Sequence, residues 1–261
     1  MKKQKSFYNN VHTTTEKGEA RRQTPQVSRK EITFKGEVNM AIKEKDTVVI
    51  HPANIQRAVI SIKGTAPLVQ NKFSKKAKDK MMEDMAKTKA QKGKKTDREP
   101  RNYDSDFENA QHMSVAGWNG VPCPAFRSAM IRACSLIKGV TMTDARMAVF
   151  VLADGFDKDD GTPLVKLKAA KPERLESLVR LQGMGNPADV RIRPMWREWE
   201  AELTVEFDAD TITAESVVNL LDRAGRQVGV GEGRPFSKSS NGQGWGTFAV
   251  VAHSFEETAN G

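Results

Sequence analysis

The sequence predicts an α+β fold built on a βαββαβ core with two long insertions. Three observations carry this prediction. Segments 57–64 and 200–207 alternate apolar and polar residues, as half-buried strands do. Segments 125–138 and 213–226 repeat apolar residues at three-to-four spacing, as amphipathic helices do. The strand-like and helix-like segments also follow one another in a fixed order along a chain of 261 residues, long enough to bury a sizeable core.

Residues 1–39 are polar and turn-rich without a sustained apolar period, which predicts a disordered tail. Met40 opens a more ordinary sequence and is a candidate start, so 40–261 is read as one domain. The first strand, 57–64 (RAVISIKG), is followed by helical composition over 73–91 with Met81, Met82 and Met85 as a weak apolar stripe. Segment 113–121 (MSVAGWNGV) predicts a strand with a tight turn at Asn119-Gly120. Pro122 and Pro124 suit the first turn of the helix over 125–138, whose Met130, Cys134 and Ile137 share a face, and Gly139 supplies a stop. Segment 145–153 (ARMAVFVLA) reads as a strand, 164–168 as a short strand, 172–181 as a short helix and 189–193 as a strand. After the strand over 200–207, Thr213 is a plausible N-cap for the helix over 213–226. A final strand is expected over 245–251, and 252–261 reads as a frayed tail.

The strongest of these elements give the split βαβ order of ferredoxin-like and RRM-like domains. Two helices would cover one face of a four-stranded antiparallel sheet and leave the other available. The insertions are 65–123, which contains a basic arm over 71–98, and 154–199.

The net charge of +9 is uneven: residues 1–100 carry +13 and the remainder −4. Eleven cations against four acids lie between Asn71 and Arg98 alone. Such a run is either a solvated face or a mobile arm that grips a nucleic-acid backbone or a neighbouring subunit. A folded body with net negative charge needs a local basic surface to hold a polyanion. Cys123 and Cys134, the only cysteines, suggest neither a disulfide framework nor a zinc site and fit a reducing compartment. With no apolar targeting region and no membrane-length apolar run, the expected location is the cytoplasm, with no membrane partner.

The acidic cluster 154–161 (DGFDKDDG) fails as an EF-hand, since Gly161 as sixth residue places Phe156 first and Lys158 third. A turn between two strands accounts for it. The alternative is a divalent-ion nuclease site using Asp154, Asp157, Asp159 and Asp160. His12, His51, His112 and His253 are scattered without a paired general acid and base. No cofactor and no metal are expected.

Segment 228–251 (VGVGEGRPFSKSSNGQGWGTFAVV) interleaves glycines with Arg234, Lys238 and Trp245. It is not a Walker A loop, because Ser237 precedes the Lys-Ser pair and the segment runs from helix to strand. The same topology excludes a dinucleotide fingerprint. Two readings stay open: ordinary turn glycines in a long loop, or bare amides and cations that meet a polyanionic backbone.

Three places resemble the RAMP superfamily, the Cas7-like RNA-binding backbone subunits of CRISPR effector complexes. Segment 60–70 (ISIKGTAPLVQ) is similar to the family's first strand and its small-residue exit. Segment 121–133 (VPCPAFRSAMIRA) is similar to its proline-initiated helix, with Arg127 where that helix carries a cation. The C-terminal helix with the glycine-rich loop is similar to its closing elements. The chain also resembles uncharacterised bacteriophage proteins. It departs from the family at Ser128 and Ile131, with Arg132 one step late, and 65–70 carries no carboxylate where target-cleaving members place one.

The resemblance implies a non-catalytic protomer that assembles with copies of itself along RNA, with other effector subunits as further partners. Contacts would come from Gly229, Gly231, Gly233, Arg234, Lys238, Gly244 and Trp245 of the loop, from Arg127, and from Lys72, Lys75 and Lys76 of the arm. A phage single-stranded DNA binding or recombination protein would use the same sheet face, and ribose discrimination separates the two.

Overall fold

The computed structural model describes residues 50–73, 75–86, 101–180, 188–237 and 242–256. The predicted tail over 1–39, Lys238 and all of the arm beyond residue 86 therefore lie outside the described residues. In chain order the elements are β1 (Ile55–Gly64), β2 (Leu68–Val69), α1 (Lys75–Ala86), α2 (Tyr103–Asn109), β3 (Gly120–Pro122) and α3 (Cys123–Ala133). Then come α4 (Met142–Ala148), β4 (Val149–Val151), β5 (Gly155–Phe156), β6 (Pro163–Lys168), β7 (Glu173–Arg180) and β8 (Ala188–Trp196). The chain closes with β9 (Glu200–Asp208), α5 (Ala214–Arg223) and β10 (Phe248–Glu256).

The predicted core is present. Strands β10, β1 and β9 lie side by side, β4 pairs with the far edge of β9, and every neighbouring pair is antiparallel. With α3 between β1 and β4 and α5 between β9 and β10, this is the ferredoxin-like order. The insertions extend the sheet through β6 and β3 and add a second sheet, β2-β8-β7. Alternation explains the layering. Ala58, Ile60 and Ile62 of β1 pair with Val205, Leu203 and Ala201 of β9, and all six are buried. Phe126 and Met130 of α3 and Val217 and Leu221 of α5 join them in one apolar core. Phe248 meets the Phe126 and Trp199 rings edge-on, at centroid distances of 5.7 and 6.0 Å.

The alternate residues line the open face of the sheet, which is not a basic platform. It carries the pairs Arg57–Glu206, Lys63–Glu200 and Lys168–Glu202 at 2.6, 3.1 and 3.1 Å. Each of these three cations has its own carboxylate.

Four local expectations are corrected. Residues 145–148 belong to helix α4 and only 149–151 to a strand, because Thr141 and Asp144 form a reciprocal capping box that starts a helix at Met142. The helix expected over 172–181 is strand β7, paired along its length with β8. The turn near 113–121 is centred on Gly117 (φ 83°), while Gly120 opens β3. The last strand starts at Phe248 and runs to Glu256, so 252–256 of the supposed frayed tail is paired with β1. Among the described residues, no helix is long and apolar enough to cross a membrane.

Candidate nucleic-acid interface

Two grooves meet over the start of α3. Pro122 caps this helix and Pro124 sits in its first turn, where a missing N–H removes no helical bond. Helical spacing sends Phe126, Met130 and Ala133 into the core and leaves Ala125, Ser128 and Arg132 on the groove side.

The glycine-rich loop forms the opposite wall and is strapped down by its own backbone. The Glu232 amide donates to the Val69 carbonyl (2.8 Å), Gly246 to Pro67 (2.7 Å) and Val230 to Gly246 (2.9 Å). Two glycines make this approach possible. Gly231 has φ +75°, and a Cβ there would lie 2.5 Å from the Val69 oxygen. Gly246 has φ +66°, and its Cβ would overlap the Val230 carbonyl. Gly246→Ala is therefore expected to destabilise the protein by about 3 kcal/mol or more, combining left-handed strain with a main-chain clash. Urea unfolding checks this; a midpoint within error of wild type would contradict it.

The amides of Gly229, Val230, Glu232, Phe236, Trp245 and Gly246 all donate to main-chain carbonyls. The expectation of bare amides waiting for phosphates is thus corrected for these positions. The loop's glycines let it pack close, and its polar chemistry lies in the side chains. Trp245 supports the loop from beneath, since a Cβ on Gly233 would run into its indole. Gly244 (φ +77°) has open space around it. Trp118 packs against Gly120 and Gly155, where added Cβ atoms would lie 2.9 and 2.8 Å from its ring.

The larger groove, about 550 Å³, lies between α3, α4 and the loop. Among the described residues its walls carry Arg132, Arg146 and Arg234, together with Phe236, and no carboxylate. The Arg132 guanidinium sits 4.0 Å from the centre of the Phe236 ring. Arg234 donates from Nη1 to the Gly231 carbonyl at 2.9 Å, which aims it along the loop. A second groove of about 340 Å³ shares Ala125, Gly231 and Arg234 with the first and continues past Gln70, Asn71 and His112. The one acid on its wall, Glu232, is held by the buried Arg193 at 2.6 Å. That pair also ties the loop to the β7–β8 hairpin, where Arg193 donates to Ser177 at 3.0 Å.

Not every residue expected at the site faces these grooves. Arg127 is spent on structure: its Nε donates to the Val149 carbonyl at 2.9 Å, its Nη2 to the Arg146 carbonyl, and its guanidinium lies over Phe150 at 4.8 Å. It pins α4 and β4 to α3. Lys72, with 3% of its side chain exposed, is clasped between Asp157 and Asp159 at 2.6 Å each. The backbone of Lys75 and Lys76 lies in α1, but their side chains, like Lys238, are outside the described residues. Arg132 and Arg146 are the cations that sequence reasoning missed. The signal for Arg132 was present, because Ala125, Ser128 and Arg132 share one helical face.

Within the acidic cluster, Gly155–Phe156 form β5 and residues 157–161 lie in the turn into β6. The cluster's carboxylates have partners: Asp154 accepts from the Lys166 amide, Asp157 and Asp159 from Lys72, and Asp160 from Lys78 and Thr162. This weighs against the divalent-ion alternative: Asp157 and Asp159 converge on the Lys72 ammonium, Asp160 takes Lys78, and among the described residues no three His, Cys, Asp or Glu side chains are grouped to hold a metal ion. Burial opposes ionisation of Asp157, but hydrogen bonds from Lys72, the Asp159 amide and His112 outweigh it and hold the carboxyl below its usual range. His112 is not isolated: its Nδ1 lies 3.1 Å from Asp157. Burial, with the Lys72 charge, pushes the imidazole below its ordinary value, so Nδ1 carries a hydrogen and donates while the ring stays neutral.

No family model matches the chain, and no curated protein matches it in sequence. Among solved structures, it is similar to a chain in the cryo-EM structure of the Type III-B Cmr-beta bound to cognate target RNA. The TM-score is 0.44 at 7% identity, over 79% of this chain and 62% of that one, so this chain spans less than two thirds of its length.

Proposed function

We propose that residues 40–261 form one domain that binds single-stranded RNA without cleaving it and assembles with copies of itself along the strand in the cytoplasm. One observation carries the reading: a groove of about 550 Å³ whose walls, among the described residues, hold three arginines and no carboxylate, on a body that is net acidic beyond residue 100. Arginine binds phosphate through a planar fork of donors, and a strand lying over Arg146 and Arg234 would exchange condensed counterions for these contacts. The motif resemblance favours RNA over DNA. The basic arm supplies further charge, anchored at its root by Lys72 and Lys78 on the β5–β6 turn.

The test is purification from cells without nuclease, followed by sizing, absorbance and separate RNase and DNase digestion. RNA of defined length in a particle larger than the monomer is expected. DNA in its place favours the single-stranded DNA reading. A monomer without nucleic acid that also ignores a 20-nucleotide RNA at low salt overturns both.

A further inference from the structure

The larger groove is built for more than phosphate. We propose that it receives one unstacked nucleobase of the bound strand, laid against the Arg132–Phe236 pair; this rests on the RNA-binding reading above.

Phe236 is an aromatic residue left 40% exposed inside a concave, cationic site. What sets this ring apart from other exposed phenyl groups is its place in a groove, with the Arg132 guanidinium lying across it at 4.0 Å. No carboxylate among the described residues pairs with Arg132, so its guanidinium plane is held by the ring and not by an acid. Stacked guanidinium and aromatic planes are the surfaces on which unpaired bases lie.

The rest of the groove divides by chemistry as a nucleotide does. Ile131, Met142, Val228 and Val230 supply apolar wall for a base, while Arg146 and Arg234 supply cations for the flanking phosphates. The volume falls in the range of small-ligand pockets, about 300–1,000 Å³. Arg234 borders both grooves, so a strand can place a base on one side of it and run on through the other. A paired base cannot leave its stack without losing its partner, so the pocket selects single strands. Stacking accepts any base, so it reads the presence of a base more than its identity.

The experiment compares a fluorescein-labelled 20-nucleotide RNA with a ribose-phosphate strand of the same length and charge that lacks bases, both titrated with the full chain. Wild type is expected to bind the complete RNA about 10-fold more tightly than the base-free strand. Phe236→Ala should lower affinity for RNA by a similar factor while leaving base-free binding unchanged, and Phe236→Tyr should restore it. Equal wild-type binding of the two strands overturns the base pocket and leaves backbone binding standing. Absence of binding to either overturns the RNA reading itself. Should Phe236→Ala fail to fold, the wild-type comparison alone decides.

Discussion

Arg146→Glu combined with Arg234→Glu is expected to weaken RNA binding about 100-fold near 0.1 M salt and to flatten its salt dependence by about two in slope. Both arginines line the larger groove, and reversal would replace attraction with repulsion for a phosphate backbone laid in it. The fold should survive. Arg146 is exposed, and Arg234 forfeits one hydrogen bond to the Gly231 carbonyl, worth about 1 kcal/mol. The informative control is Lys63→Glu with Lys168→Glu, which makes the same change in net charge on the open sheet face. If binding follows the groove, this control changes affinity less than about threefold, because neither lysine lines either groove and exposed charges out of contact are weakened by salt. Equal losses in both double variants, measured by anisotropy across a salt series, would move the interface off the groove.

That control also marks where sequence reasoning stopped. The βαββαβ core was legible because β1, β9 and α5 announce themselves through period-two and three-to-four patterns, which depend only on neighbours along the chain. Segment 145–148 was misread because its apolar content resembles a strand, while the Thr141–Asp144 capping box that decides it lies before the apolar run. In β7, Leu175, Leu178 and Val179 repeat at a helical interval; pairing with β8 overrides that local preference, as β structure often does. At the site, the glycine-rich loop and the start of α3 were identified, but the identity of the exposed cations was not. Arg127 and Arg132 are both plausible from sequence. Only the Val149 and Arg146 carbonyls, brought close by the turn into α4, show that Arg127 is consumed. Lys72 is harder still, since its partners lie 85 and 87 residues away and no periodicity links them.

Lys72 thus gives the second large effect, and it falls on stability. Lys72→Met leaves Asp157 buried without its ammonium, a situation that typically destabilises by about 3–5 kcal/mol. For a domain of this size that is a fall of roughly 10 °C in Tm. The pH dependence identifies the cause. In wild type the Asp157 carboxyl is held below its unfolded value, so its contribution is complete above about pH 4 and is lost as pH falls through the folded value. Without Lys72, burial dominates, the folded value rises above the unfolded one, and protonation relieves the buried charge. The gap between variant and wild type should therefore close as pH drops from 7 towards 3. His112 contributes to this closure, because removing the Lys72 charge also lets it take up a proton more readily and pair with Asp157. Lys72→Met with Asp157→Asn should destabilise less than the two single changes added together. The RNA measurement separates the two roles open to this lysine: a clasp predicts lost stability with near-normal affinity in the folded variant. A phosphate ligand predicts the reverse, an unshifted Tm with weakened binding, and that outcome would require Lys72 to leave Asp157 and Asp159 when RNA arrives.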